Sequence, residues 1–231
     1  MKKYILIFVL FISCIVMSGC KHENEVNNTP LLGGWQNIFN KQNNVLSEEE
    51  KYIFDKAKER YTDLELEAVS ILGKQVVAGT NYMYLAKATN KNGVESYKIV
   101  VLYYDLEGYS SITKVTDFDY AKYVNKDLES NNEMLSGGWY SESLDGVKLD
   151  EKIQNVFSKA TNTLTGMTYN PIAVLGTQVV SGNNYAILCF GSPSVKQSDS
   201  VTNVYLLTIY EDLDGNSEIK SICYINLSDY N

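Results

Sequence analysis

Proline is scarce, with three in 231 residues. Long Pro-rich linkers are therefore excluded. Histidine is scarcer still: the one histidine, His22, lies in a polar stretch near the start. No Ser-His or Cys-His catalytic pair can be built around it in a folded domain. The four cysteines, Cys14, Cys20, Cys189 and Cys223, form no cluster with metal-ligand spacing. No glycine-rich phosphate loop precedes a helix. Positive charge is in deficit, since 20 Lys and Arg stand against 28 Asp and Glu. An acidic chain is poorly suited to nucleic acid, whose phosphates must be neutralised by Lys and Arg. It is also repelled by anionic lipid headgroups. Acid pairs such as Asp212 and Asp214 fall in a turn-like stretch, where solvated turn formation is the expectation. No catalytic residue, cofactor or metal is expected, which points to binding rather than catalysis.

The N-terminus speaks to compartment. Lys2 and Lys3 precede an uncharged apolar run, Tyr4 to Val16, followed by Met17, Ser18, Gly19 and Cys20. A run this short with small residues after it reads as a signal peptide rather than a membrane span. The Ser-Gly-Cys ending resembles the lipobox of bacterial lipoproteins, in which the cysteine thiol takes a diacylglycerol and becomes residue one. Cys20 is thus the expected lipidation site, with residues 1–19 removed. Plain secretion, or lipidation at Cys14 after bulky Phe11 and Ile12, are the alternatives. Loss of the leader takes the formal charge from −8 to −10. The lipid is then the anchor to the cell envelope and the acidic body stays in water. Lys21, rather than an acid, after Cys20 favours the outer surface. Residues 20–30 are polar and read as a flexible tether.

Beyond the tether the chain repeats itself. Leu32-Gly33-Gly34-Trp35 returns as Ser136-Gly137-Gly138-Trp139. The stretch from Leu72 to Tyr82 returns from Leu175 to Tyr185, and Asp105-Leu106-Glu107-Gly108 returns as Asp212-Leu213-Asp214-Gly215. Blocks kept in one order at this separation indicate a duplicated domain, not a solenoid. The boundaries expected are 31–128 and 132–231. Ser47-Glu48-Glu49-Glu50 has the form of a capping box. Ile53, Phe54, Ala57 and Tyr61 then follow a helical period, as do Ile153, Val156, Phe157, Ala160 and Leu164. Ala68–Gln75, Tyr82–Ala88, Tyr97–Tyr104 and Ser111–Thr116 are rich in Val, Ile, Tyr and Thr and read as strands. The breaks at Asn90-Lys91-Asn92-Gly93 and Asp105-Leu106-Glu107-Gly108 have hairpin-turn chemistry. The fold class expected is α+β: two tandem domains, each with one helix on a curved antiparallel sheet of four to five strands.

Gln75-Val76-Val77-Ala78-Gly79-Thr80-Asn81-Tyr82 resembles the Gln-x-Val-x-Gly signature of the cystatin superfamily, closest to its stefin branch. The order of glycine-containing arm, helix, first hairpin and second hairpin resembles that family as well. The resemblance implies a reversible inhibitor of papain-like cysteine proteases, acting as a monomer. A wedge made by the arm and the two hairpins would occlude the protease cleft. In the first copy it implies protease contacts at Leu31, Leu32, Gly33 and Gly34, at Gln75, Val76, Val77, Ala78 and Gly79, and at Leu106, Glu107, Gly108 and Tyr109. In the second it implies Leu135, Ser136, Gly137 and Gly138, then Gln178, Val179, Val180, Ser181 and Gly182, then Leu213, Asp214, Gly215 and Asn216. A non-inhibitory extracellular binding module on the same scaffold is the alternative, because fold does not fix function.

Several positions depart from the family pattern. The proline usual at the second hairpin is Glu107 in one copy and Asp214 in the other, which adds negative charge there. Ser136 replaces an apolar residue in the second arm. Trp35 and Trp139 directly follow the glycines and are expected to anchor the first strand in the core. Cys189 and Cys223 lie in apolar strand-like runs. In a meander a third strand separates them by roughly 9.6 Å, beyond the reach of a disulfide, so free thiols are expected.

Overall fold

The computed structural model describes residues 34–37, 45–124, 138–139, 149–195 and 201–231. The leader, the tether with Cys20, and the arm residues Leu31, Leu32, Gly33, Leu135, Ser136 and Gly137 lie outside them. Described elements run β1 (Gln36–Asn37), α1 (Glu48–Lys58), β2 (Glu65–Val77), β3 (Gly79–Thr89), β4 (Glu95–Tyr104), β5 (Ser110–Asp117) and α2 (Ala121–Val124). The second half follows with α3 (Glu151–Thr161), β6 (Met167–Val180), β7 (Gly182–Pro193), β8 (Asn203–Glu211), β9 (Ser217–Ile225) and a 3-10 turn at Leu227–Tyr230. The architecture is α+β, with one antiparallel sheet ordered β1-β2-β3-β4-β5 and another ordered β6-β7-β8-β9.

Local chemistry starts each helix. The Ser47 hydroxyl accepts from the Glu50 amide at 3.2 Å, and the Glu50 carboxylate accepts from the Ser47 amide at 2.7 Å. This is the reciprocal capping box read from the sequence. Glu48 and Glu49 in the first turn and Lys56 and Lys58 in the last complement the helix dipole. In α3 the Asp150 carboxylate caps the Ile153 amide at 2.7 Å. Both helices are shorter than their apolar periods: Tyr61 and Leu164 lie beyond the helix ends.

Strand alternation sends residues of each sheet into two cores. From β3 and β4, Tyr84, Ala86, Val100 and Leu102 join Ile53, Phe54 and Ala57 of α1. Phe54 meets Tyr84 edge-on with ring centres 5.1 Å apart. The alternate residues Met83, Leu85, Ile99 and Val101 face the other way and share a core with Leu175, Ala186, Leu188 and Leu206 of the second half. Ile187, Cys189 and Leu207 in turn pack with Val156, Phe157 and Ala160 of α3. The layers are therefore helix, sheet, sheet, helix, and the two repeats share one core between their sheets. The Tyr97 hydroxyl donates across that core to the Val174 carbonyl at 3.0 Å. Gly176 belongs to the same contact: a Cβ there would sit 2.1 Å from the Tyr120 hydroxyl. Trp35 and Trp139 pack against this shared core; Trp35 directly precedes β1, whereas Trp139 lies in no described strand.

Cys189 and Cys223 are free thiols. Cys189 pairs with Tyr205 of β8, and Cys223 pairs with Leu206 on the opposite side of that strand. Adjacent residues of one strand point to opposite faces, so the thiols lie on different faces as well as different strands.

Candidate binding edge

The register of the first sheet gathers three of the expected segments at one end. Val77 pairs with Gly79 across the tip residue Ala78. Thr80 pairs with Tyr104, so the β4–β5 loop from Asp105 to Tyr109 opens beside that tip. Gln36 pairs with Lys74 in antiparallel sense, so the chain before it, through Trp35 and Gly34, runs toward the same end. In the second sheet Val180 pairs with Gly182 and Asn183 with Glu211, which places the Ser181 tip beside the loop Asp212–Asn216. Gly138 and Trp139 belong to no strand there. None of the tip or loop residues belongs to the core between the sheets, so both edges face outward.

Each tip is built to hold its shape. Gly79 has φ +126° and Gly182 φ +122°, values that disfavour any residue with a Cβ. The neighbouring strand also crowds them: a Cβ on Gly182 would sit 2.2 Å from the Glu211 carbonyl oxygen. The Tyr103 hydroxyl donates to the Ala78 carbonyl, and the Tyr210 hydroxyl to the Ser181 carbonyl. These two tyrosines were missed by sequence reasoning. The available signal was their common position two residues before Asp105 and Asp212.

The loops are equally organised. The Asp105 carboxylate accepts from the amides of Glu107 at 2.9 Å and Tyr109 at 2.8 Å. Asp212 does the same for Asp214 and Asn216, at 2.9 and 2.8 Å. Hydrogen bonds from the Asn216 side chain and backbone hold the Asp212 carboxyl below its ordinary range. Gly108 and Gly215 take positive φ in these turns.

The edges offer apolar side chains outward together with polar and acidic ones. Leu106 is 88% exposed and Leu213 84%, with Val77 at 40% and Val179 at 61%. Tyr109 is half-exposed, Ala78, Ser181, Glu107, Asp214 and Asn216 are exposed, and Val76 and Val180 are half-buried. Exposed apolar side chains that form a contiguous patch are the usual sign of an interaction surface. The signature glutamines are placed differently. The Gln75 side-chain carbonyl accepts from the Asn81 amide at 2.7 Å, and Gln178 from Asn184 at 2.8 Å. Each pair sits directly across its hairpin, and Gln178 is only 2% exposed. The resemblance assigned these glutamines to a partner; in the fold each also bridges its own hairpin.

A cleft of about 1590 Å³ lies elsewhere, between the start of β2 and the start of β6, lined by Leu46, Leu66, Val69, Phe157 and Pro171 among others. No tip or loop residue lines it. Among the described residues no group of His, Cys, Asp and Glu could hold a metal ion, and no helix is long and apolar enough to cross a membrane. Against protein-family models and curated proteins, the chain finds no match.

Proposed function

We propose that this chain is a reversible, cleft-occluding inhibitor of papain-like cysteine proteases, held on the bacterial cell envelope by lipid on Cys20. The observation that supports this best is the gathering of Gly34, Gln75–Gly79 and Leu106–Tyr109 at one sheet end with Val77 and Leu106 exposed. A rigid apolar edge enters a cleft at low entropic cost, because its loops are already ordered. The Ala78 carbonyl is engaged by Tyr103, and Gly79 is far from extended conformation. The tip thus differs from an extended substrate and would block the cleft without being cut. The second half offers a like edge at Val179, Ser181 and Leu213. The molecule acts by binding, as a monomer, with no role for nucleic acid. The test is inhibition of a panel of papain-like proteases by the full chain, with Leu106→Asp as control. Inhibition that L106D weakens is the expected result; no inhibition across the panel would refute the reading.

A second reading, a non-inhibitory extracellular binding module, is favoured by one observation. The Gln75–Asn81 and Gln178–Asn184 bonds give the most distinctive polar residues of the motif an internal role. Under that reading the panel shows no inhibition. Membrane attachment is tested separately: Cys20→Ala should leave the protein in the soluble fraction, since an acidic body adds no membrane affinity.

A further inference from the structure

Arg60 is the only arginine in the chain, and it stands just past the end of α1. Its Nη1 donates to the Tyr109 hydroxyl, and its guanidinium carbon lies 4.8 Å from the centre of the same ring. A planar guanidinium can stack and donate at once, which a lysine ammonium cannot reproduce. Tyr109 closes the second loop, for its amide donates to the Asp105 carboxylate at 2.8 Å and its carbonyl accepts from the Asp105 amide at 3.0 Å. The next residue, Ser110, donates to the Ile53 carbonyl of α1 at 3.0 Å. The loop is therefore fastened to the helix on either side of its exit.

The second half makes a corresponding link with a different residue. Lys159, in the last turn of α3, donates to the Gly215 carbonyl at 2.9 Å. With Phe54 aligned on Phe157, Lys159 corresponds to Lys56 and not to Arg60. Both repeats tie the second loop to the C-terminal end of the helix, and they reach that result from different positions. A tie retained while its residue changes indicates that loop placement matters to the molecule.

We infer that Arg60 is a positioning residue for the first edge, holding Leu106 and Tyr109 at the height at which they meet a partner; this rests on the proposed inhibitory reading. Arg60 acts through Tyr109 and does not itself enter the partner's cleft.

The test uses the full chain carrying Val179→Asp and Leu213→Asp, so that binding reports the first edge alone. In that background Arg60→Met and Arg60→Lys are compared with the parent. Three readouts are taken: melting temperature, hydrogen exchange of the Glu107 and Tyr109 amides, and dissociation from an active-site-inactivated papain-like protease. R60M should leave the melting temperature unchanged and speed both exchange and dissociation by roughly fivefold. R60K should restore neither in full, because it loses the stack. Unchanged exchange would overturn the inference; faster dissociation with unchanged exchange would make Arg60 a direct contact instead. If the parent binds no protease, the inhibitory reading fails, and exchange alone decides whether Arg60 holds the loop.

Discussion

The Tyr123 and Tyr230 hydroxyls hydrogen-bond to each other at 3.0 Å. They occupy the same position in the two repeats, equally far beyond Asp105 and Asp212. A residue that touches its own counterpart lies on the axis of an internal two-fold. Reciprocal contacts agree with this. Gly73 approaches Leu227, and its counterpart Gly176 approaches Tyr120, the counterpart of Leu227. The duplication therefore produced a self-complementary interface inside one chain.

One consequence is cooperative unfolding. Leu188 is fully buried in the core shared by the sheets. Leu188→Ala should cost about 2–5 kcal/mol and destabilise both repeats together. In urea, tryptophan fluorescence and far-UV circular dichroism should report one coincident transition in the parent and the variant. Two resolved transitions would show that the repeats fold independently.

The thiols should differ in reactivity. Cys189 is buried, and burial pushes its thiol well above the usual 9.0. Cys223 is half-buried, with its Sγ donating to the Tyr123 carbonyl at 3.4 Å. Under native conditions an alkylating reagent should label Cys223 and leave Cys189 until denaturant is added. The intact mass should show no loss of two hydrogens; a shift of that size would reveal a disulfide.

Alkaline pH should weaken the fold. Burial raises the Tyr84, Tyr97 and Tyr230 phenols above their usual 10.0. The folded state then keeps protons that the unfolded chain releases. Stability from these groups is intact below about pH 10 and is lost as pH rises beyond it. The Cys189 thiol adds the same sign of change from about pH 9. Urea midpoints should be level from pH 7 to 8 and fall steadily above pH 9. Tyr97→Phe should reduce that slope while lowering stability at neutral pH by about 1 kcal/mol, since Val174 loses its donor. A flat profile to pH 11 would contradict the burial of these phenols.

The two edges should differ in affinity. The first presents Ala78 and Tyr109 where the second has Ser181 and Asn216. Burying an apolar side chain contributes about 1.5–3 kcal/mol, whereas an unpaired polar group costs about 1–3 kcal/mol. A tenfold change in affinity is about 1.4 kcal/mol, so the first edge should bind a common protease at least tenfold more tightly. Because the repeats share a core, the comparison belongs in the full chain. Val77→Asp with Leu106→Asp should raise the inhibition constant more than tenfold, and Val179→Asp with Leu213→Asp far less. Both pairs lie on the surface and should shift stability little. Equal losses would show that tip and loop residues do not set affinity.

Local chemistry was legible in the sequence. Ser47 and Glu50 cap one another because they lie one turn apart, and Asp105 and Asp212 close their loops with amides two and four residues on. Hairpin order followed from these breaks, and with it the separation of Cys189 from Cys223 by β8. The repeat was visible because Gln75 and Gln178 sit in closely similar frames, Leu72 to Tyr82 and Leu175 to Tyr185. Tertiary structure decided what no local pattern carries. Met83 to Ala86, Ile99 to Leu102 and Tyr185 to Phe190 are continuous apolar runs, the mark of strands covered on both faces. Such a run reveals that a second face is buried and leaves open what covers it. Gln75 likewise reads as an exposed motif residue until Asn81 is placed across the hairpin from it. The pairing of the two sheets, the Tyr123–Tyr230 contact and the reach of Arg60 to Tyr109 join residues far apart in the chain, so they depend on three-dimensional packing that one-dimensional periodicity does not encode.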